Sequence, residues 1–181
     1  MPRTSHALLA DGRVYLIDPT EGEGVDERIR ALGEPAAVLV LLDRHRRDSD
    51  AFAERYGVPV HETPGERISG APFVFRPVVG WRLWREVALW WPERRVLVAA
   101  DALGTVGYIR ASTEPLGVHP ALRPWPPRKA FAGLDPEHVL VGHGEGVHGP
   151  GATAALAAAL ATSRRGIPRL AADGVRRLVR R

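Results

Sequence analysis

Three side chains that could bind a metal ion lie close together in the stretch DRHRRD: Asp43, His45 and Asp48. Carboxylates and neutral imidazoles are common ligands of zinc, manganese and iron in proteins. Three arginines are interleaved with them, and positive charge so near weakens the binding of a cation. The stretch therefore predicts a metal-binding loop, a metal-binding loop that has lost its function, or an ordinary charged turn.

Potential ligands also follow the apolar stretches that we expect to form buried strands. The run AVLVLL stops at Asp43, RVLVAA stops at Asp101, and HVLVG stops at His143. In α/β proteins the loops at the carboxyl ends of strands meet in one crevice, where sites form. We therefore expect these three side chains to converge. The alternatives are that Asp101 caps the next turn and that the glycines beside His143 only shape a turn.

The rest of the pattern predicts the elements that must position these residues. Residues 6–18 are typical of two strands joined at Asp11-Gly12, a strong hairpin signal. Helices are predicted near 25–33, 50–57 and 152–163, and further strands at 36–42, 58–62, 73–79, 84–92, 94–101 and 138–142. This alternation predicts an α/β fold, and 181 residues are the size of one domain.

One stretch, residues 104–136, is rich in proline and glycine and has no clear element signal. It holds His119, the one further histidine that we expect to reach the crevice, because its loop has no evident structural purpose. The four tryptophans between positions 81 and 91 alternate along predicted strands. We expect them to pack in the core rather than to form a binding platform.

Composition narrows the classes of function. The chain has no cysteine, which excludes disulfides and thiolate metal sites. A net charge of +4 would normally suggest that the protein binds nucleic acid. Lys129 is the only lysine, however, and the arginines are scattered along the chain. We therefore expect no specific nucleic-acid site, even for the basic helix predicted at about 168–181.

No apolar run is long enough to span a bilayer, and the start of the chain does not resemble a signal peptide. We therefore expect one domain over residues 1–181 in the cytoplasm, without a membrane contact. The partner is expected to be a small molecule or a protein, and a homodimer is compatible with the sequence.

Four blocks of the chain, in order and spacing, resemble the metallo-β-lactamase fold superfamily: VYLIDPT, VLVLLDRHRRD…FAERYGVPV, WPERRVLVAADAL and VLVGHGEGV. The resemblance covers about residues 6–160. It implies a four-layer αββα sandwich of two mixed sheets with helices outside. It also implies a site at one edge of the sheets that usually holds two zinc, iron or manganese ions, which activate a bridging water.

The first ligand motif of this superfamily reads H-x-H-x-D-H. Asp43 stands at its first His, His45 matches the second, Arg47 replaces the Asp, and Asp48 replaces the last His. Asp48 also stands where a cap of the following helix belongs. The resemblance therefore implies a first loop that retains one of its histidines.

The remaining ligand positions are also incomplete. Asp101 matches the Asp that usually bridges the metals and His143 matches the last His, whereas Gly80 and Trp81 stand near the place of a further His. The resemblance therefore implies an eroded dinuclear site that takes no metal or one divalent ion, zinc, manganese or iron.

Two hypotheses follow for function. The first is a metal-poor or metal-free protein that keeps the fold for binding or a structural role. The alternative is a hydrolase of an ester, thioester or phosphoester whose single metal is held by four ligands. The ligands would be Asp43, His45, Asp101 and His143, with Asp101 and His45 the catalytic pair.

Either hypothesis requires a cation among the carboxylates of the crevice, because like charges close together raise one another's pKa. We expect the crevice to include Arg47, Asp48 and His119. The arginine fork is expected to pair with Asp101 or Asp43, since a guanidinium binds a carboxylate through two N–H groups.

Overall fold

The computed structural model describes residues 3–179, with side chains through residue 176. Residues 180 and 181 of the predicted basic helix lie outside that range. Eleven strands are described: β1 (His6–Ala10), β2 (Arg13–Ile17), β3 (Glu34–Val40), β4 (Val60–Glu62), β5 (Val74–Trp81), β6 (Trp84–Trp91), β7 (Val96–Ala99), β8 (Leu103–Gly104), β9 (Gly117–Val118), β10 (His138–Val141) and β11 (Val147–His148). Five α-helices accompany them: α1 (Val25–Leu32), α2 (Ser49–Tyr56), α3 (Arg128–Phe131), α4 (Ala152–Thr162) and α5 (Ile167–Val179).

The first sheet has the strand order β1-β2-β3-β4. Its β1–β2 hairpin turns at Asp11 and Gly12, whose φ angles of 51° and 76° are those of the tight turn that the Asp-Gly pair predicts. β2, β3 and β4 run parallel to one another. Parallel strands need a crossover, and helices α1 and α2 supply the two that this sheet requires.

The second sheet has the order β11-β10-β7-β6-β5. β6 and β7 are antiparallel and joined by a 3-10 turn at Pro92–Arg94, as the sequence predicts. β7 and β10 are parallel and in register, with Val141 opposite Ala99. The strand ends that precede Asp101 and His143 therefore lie side by side.

The side chains of β2 show how the sheets and helices are arranged. Tyr15 and Ile17 belong to the main core, which contains residues of both sheets. Val14 and Leu16 face the other way and pack with Ile29 of α1 and Phe52 of α2. Because successive side chains of a strand point to opposite faces, this sheet has the second sheet on one face and helices on the other. The predicted α/β fold is confirmed, and the core shared by both sheets agrees with the predicted sandwich.

A buried arginine orders the stretch 104–136 that the sequence left unassigned. Arg123, 1% exposed, forms an ion pair with Glu114 and donates to the carbonyl oxygens of Ile109, Val118 and Ser163. A charged group at this depth requires such complete pairing. It connects the β8–β9 segment to the end of α4 and so fixes the loop that carries His119.

The tryptophans follow the predicted packing except at the hairpin tip. Trp84, Trp90 and Trp91 are buried, but Trp81 is 53% exposed, because it ends β5 where the strand pair runs beyond the core. No described helix is long and apolar enough to cross a membrane.

Candidate metal centre

Asp101 and His143 are brought together by the parallel register of β7 and β10. Each residue lies two positions beyond the aligned pair Ala99 and Val141. Neighbouring strands are about 4.8 Å apart, so side chains that leave two adjacent strand ends on the same side meet directly. The sequence-based expectation that these two residues converge is met by the structure.

His45 reaches the same place because the chain after β3 leaves the first sheet and runs beside β6. Leu41 accepts a hydrogen bond from the Val87 N–H at 2.9 Å, and the Asp43 N–H donates to the Arg85 carbonyl at 3.1 Å. These residues lie beyond the part of β6 that pairs with β7. The loop that begins at Asp43 therefore starts beside the end of β7.

Three potential ligand atoms converge at this point. Oδ1 of Asp101 lies 3.2 Å from Nε2 of His45 and 3.1 Å from Nε2 of His143. All three side chains are buried, and their ligand atoms lie within 4.8 Å of one another. Ligands about 2.1 Å from a shared divalent ion are themselves separated by about 3.0–3.4 Å. The spacing of Oδ1 from each imidazole nitrogen thus suits one ion.

A second carboxylate orients the His45 ring. Nδ1 of His45 lies 2.9 Å from Oδ2 of Asp18, whose Oδ1 accepts a bond from the Leu41 N–H. Both are buried. With Nδ1–H donated to Asp18, Nε2 of the neutral ring is a free lone pair directed at Asp101, which is the arrangement of metal-binding histidines.

Without a bound ion the same groups form an internally paired cluster. Burial opposes the charged form of His45, but hydrogen bonds to Asp101 and Asp18 outweigh it and raise its pKa to about 8. Burial likewise opposes the charged form of Asp101, but hydrogen bonds from His143 and His45 hold its pKa well below the usual range. Asp101 is therefore a carboxylate at neutral pH.

Close packing at Gly142 is part of this geometry. A Cβ at this position would lie 2.7 Å from the Ala100 carbonyl oxygen and 3.1 Å from Cε1 of His45. Any larger residue would displace the His45 ring or the end of β7. The glycine next to His143 is thus required for the approach of the ligand loops.

Glu86 is a buried residue of the site that the sequence analysis missed. Its carboxylate accepts bonds from the backbone N–H groups of Asp101 and Ala102 and from Nε1 of Trp84. Burial raises its pKa to about 7, although the bond from Ala102 acts in the opposite direction. A glutamate in the otherwise apolar run EVALWW was the available signal, because a buried carboxylate needs such donors.

Two of the predicted site residues lie apart from the three converging ligands. Oδ2 of Asp43 accepts a bond from the Arg85 N–H at 3.0 Å. Asp43 thus holds its loop to β6, and the group of ligand atoms within 4.8 Å contains only His45, Asp101 and His143 among the residues described.

Asp48 precedes α2, as predicted, but its side chain does not cap that helix. Its carboxylate accepts a bond from the Glu21 N–H at 2.8 Å instead. The expectation of a side-chain cap is therefore wrong. The residue fastens the ligand loop to the segment that follows β2.

Arg47 points inward, but toward backbone carbonyl groups. Its Nη1 donates to the carbonyl oxygens of Thr4 and Asp18, both at 2.9 Å, and its Nη2 lies 3.5 Å from that of Gly142. Arg47 has a positive φ of 42°, which turns its side chain toward these segments. The arginine therefore ties together three loops that surround the ligands.

The prediction that Arg47 pairs with Asp101 or Asp43 is accordingly wrong. The guanidinium that lies beside Asp101 is that of Arg44, whose Nη2 is 3.5 Å from Oδ2. Arg44, and not Arg47, thus supplies the positive charge beside Asp101.

The three converging donors accordingly suit a divalent ion. Oδ1 of Asp101 is buried and faces Nε2 of both His45 and His143, at 3.2 and 3.1 Å. Such an atom is suited to a metal ion. Arg47 and Asp48, which depart from the ligand motif that the chain resembles, are engaged with the backbone.

A crevice wall of aromatic and basic side chains borders the ligands. The Arg44 guanidinium lies over the Trp84 ring, 4.8 Å from its centroid, and the His119 ring contacts the same tryptophan edge-on, also at 4.8 Å. Tyr108 lies 6.1 Å from both His119 and His143. His119 thus lies one aromatic ring away from the ligand His143, in agreement with the expectation that it reaches the crevice.

No protein-family model and no curated protein matches this sequence. Solved structures do match it. A protein called TTHA1623, in a di-iron-bound form, has a TM-score of 0.58 and 21% identity over 84% of this chain and 92% of its own. The BLEG-1 B3 metallo-β-lactamase has a TM-score of 0.52 and 16% identity, covering 82% and 89%. The apo chemotaxis sensor ODP from T. denticola has a TM-score of 0.56 and 12% identity, covering 88% and 85%. The chain therefore has the metallo-β-lactamase fold.

Proposed function

We propose that this protein binds a single divalent metal ion, zinc, manganese or iron, through His45, Asp101 and His143. We further propose that it hydrolyses an ester, a thioester or a phosphoester at that centre. The observation that carries the proposal is the convergence of two imidazole nitrogens on one buried carboxylate oxygen, at 3.1 and 3.2 Å. Solved structures with the same fold include metallo-β-lactamases and a di-iron protein.

The residues have distinct tasks in this proposal. When bound, a divalent ion supplies an activated water and polarises the group under attack. Asp18 holds the His45 ring in the tautomer whose Nε2 is a ligand. Asp101 remains charged at neutral pH because hydrogen bonds lower its pKa despite burial. Glu86 holds the turn on which Asp101 lies.

Metal analysis of protein purified without a histidine tag tests the metal site. We expect about one ion per chain, and Asp101→Asn should lower the affinity at least tenfold, since its replacement removes the only charged ligand. His148→Gln is the control, because His148 and His138 form an exposed cross-strand pair that could take up zinc on its own. Two tightly bound ions per chain, or an unchanged affinity in Asp101→Asn, would contradict the proposal.

Hydrolysis is tested on the same samples with nitrophenyl esters, thioesters and phosphoesters. Activity should follow the bound metal, disappear with a chelator and return when the metal is restored. Activity that persists in the chelated protein would argue against the proposed chemistry.

The second candidate is a metal-free protein with a binding or structural role. It is favoured by a specific observation: His45 and Asp101 already form an ion pair, and Arg44 adds a second cation to the same carboxylate. In that case the purified protein contains no metal, and added zinc does not change its thermal stability.

A further inference from the structure

The side chains that border the ligands present an unusual excess of hydrogen-bond donors. Arg44 is held by the face of Trp84 and approaches Asp101 with one nitrogen at 3.5 Å. Its side chain is half exposed. Within residues 3–179 the guanidinium makes no other ion pair or hydrogen bond, so most of its N–H groups are available to a ligand.

His119 adds a second donor with a defined tautomer. Its Nδ1 accepts a bond from the Ala121 N–H at 3.3 Å, so the ring hydrogen is on Nε2 when the ring is neutral. The ring is fixed edge-on between Trp84 and Tyr108. The proline that follows His119 begins a short 3-10 turn, which keeps Ala121 in place.

Tyr108 adds a hydroxyl group on the same side. Its ring contacts those of both His119 and His143, which places it between the crevice wall and the metal ligands. A phenol that keeps its proton at neutral pH is a donor to an anion. Arg44 beside Asp101, Tyr108 beside His143 and His119 beside Tyr108 thus bring three side-chain donors close to the candidate ligands.

We infer that this crevice binds the phosphoryl group of a phosphoester, so that the substrate of the proposed hydrolase is an anion. The inference rests on the proposed function, from which it selects one of the three substrate classes. A guanidinium fork matches two phosphoryl oxygens, and the other donors suit the third. A neutral ester or thioester would cover the same donors without supplying enough acceptors, which costs binding free energy.

The reaction that this assignment implies is hydrolysis at phosphorus. The oxygen of a water forms a new bond to phosphorus, and the bond between phosphorus and the ester oxygen breaks. The electron pair of that bond stays with the leaving oxygen, which takes a proton from the water. Arg44 compensates charge on the phosphoryl oxygens throughout, His119 donates a hydrogen bond to them, and no oxidant or second substrate is needed.

Calorimetric titration with phenyl phosphate tests the inference on the full chain. Arg44→Gln should weaken binding at least tenfold. Arg46→Gln is a matched control: its side chain is equally exposed, at 50%, but is paired with Asp50 and Glu62 away from the crevice. That control should stay within twofold of the parent protein. Thermal unfolding of both variants checks that each is folded.

Benzoate and phenyl acetate, the carboxylate and neutral-ester counterparts, complete the experiment. Both should bind at least tenfold more weakly than phenyl phosphate. Equal binding of benzoate, an unchanged affinity in Arg44→Gln, or an equal loss in Arg46→Gln would overturn the inference. Metal content measured on the same samples separates the two proposals. If the protein binds phenyl phosphate through Arg44 but contains no metal, only the proposed metal site is refuted. If it binds metal but Arg44→Gln does not change the affinity for phenyl phosphate, only the proposed substrate class is refuted.

Discussion

At the scale of single residues, the orientation of the three candidate ligands depends on groups that do not belong to that set. Asp18 accepts the Nδ1–H of His45 and is itself fixed by the Leu41 N–H. Histidine ligands lose their orientation and basicity when such a partner is removed. The metal affinity of the proposed site is therefore expected to depend on Asp18, which contacts His45 from behind.

Replacing Asp18 with Asn should lower the metal affinity about 10- to 100-fold. It should also lower the pKa of His45, which hydrogen bonds to Asp101 and Asp18 raise to about 8 against the effect of burial. Competition with a zinc indicator measures the affinity, and NMR titration of the imidazole measures the pKa. Asp43→Asn is the comparison, because that carboxylate is bound to the Arg85 N–H; an equal loss there would restore Asp43 as a ligand.

Arg47→Ala should destabilise the protein without a gain of metal. The change removes the donor for two carbonyl oxygens, those of Thr4 and Asp18. Each hydrogen bond to a charged group contributes about 1.5–3 kcal/mol, so we expect the two together to give a loss of about 3–6 kcal/mol in urea unfolding.

Arg47→Asp should be at least as destabilising, because its carboxylate would face the same carbonyl oxygens. The aspartate of the motif that the chain resembles should therefore not create a site for a second ion. A clear increase of bound zinc or manganese in Arg47→Asp would show that the arginine excludes metal rather than holds loops.

At the scale of elements, the site forms beside β6, where β7 ends and residues 41–43, which follow β3 of the first sheet, pair with β6 instead. β7 ends at Ala99, and beyond it the residues after β3 run beside β6. Glu86 lies at this branch and accepts bonds from the turn after β7. A carboxylate in the core is thus the support of the loop that carries Asp101.

Glu86→Leu should be strongly destabilising, because the N–H groups of Asp101 and Ala102 would be buried without an acceptor. Such groups cost about 1–3 kcal/mol each. Glu86→Gln keeps one acceptor oxygen and should lose about half as much. Chemical denaturation measures both, and equal losses would show that only the negative charge matters.

Sequence reasoning identified the strands, the order of the elements and the residues at the strand ends, because periodicity and apolar runs are local signals. It placed Asp101 and His143 together from those strand ends, and the family resemblance added His45. The predicted carboxylate pairing of Arg47 was wrong, since the direction of a loop side chain depends on distant carbonyl groups. Glu86 was missed for a similar reason: its donors lie in another strand's turn.

At the scale of the whole molecule, stability should depend on pH through the buried ionisable groups. The pKa of His45 rises from 6.5 to about 8, so its contribution is complete below pH 6.5 and is lost as the pH rises through 8. The pKa of Asp101 is lowered from 3.8, so its contribution is present above that pH and is lost in acid. Burial raises the pKa of Glu86 from 4.5 to about 7. Glu86 therefore stabilises the folded state less as the pH increases over that interval.

Metal-free protein should therefore have its highest melting temperature between about pH 4 and 6 and lose stability toward pH 8. Calorimetry from pH 4 to 9 measures this, with Asp101→Asn as the variant in which the loss near pH 8 is reduced. A melting temperature that increases from pH 6 to 8 would contradict the assignment.

The three ligands are far apart along the chain: His45, Asp101 and His143 are separated by at least 42 residues at each step. An unfolded chain would have to close two long loops to gather them, and the entropy of that closure opposes chelation. The unfolded state is thus a poor competitor for the ion. If the protein binds metal as proposed, nearly all the free energy of binding then appears as resistance to unfolding, about 2.7 kcal/mol at a free metal concentration of 100 times Kd. The melting temperature becomes a gauge of how much metal the surroundings supply.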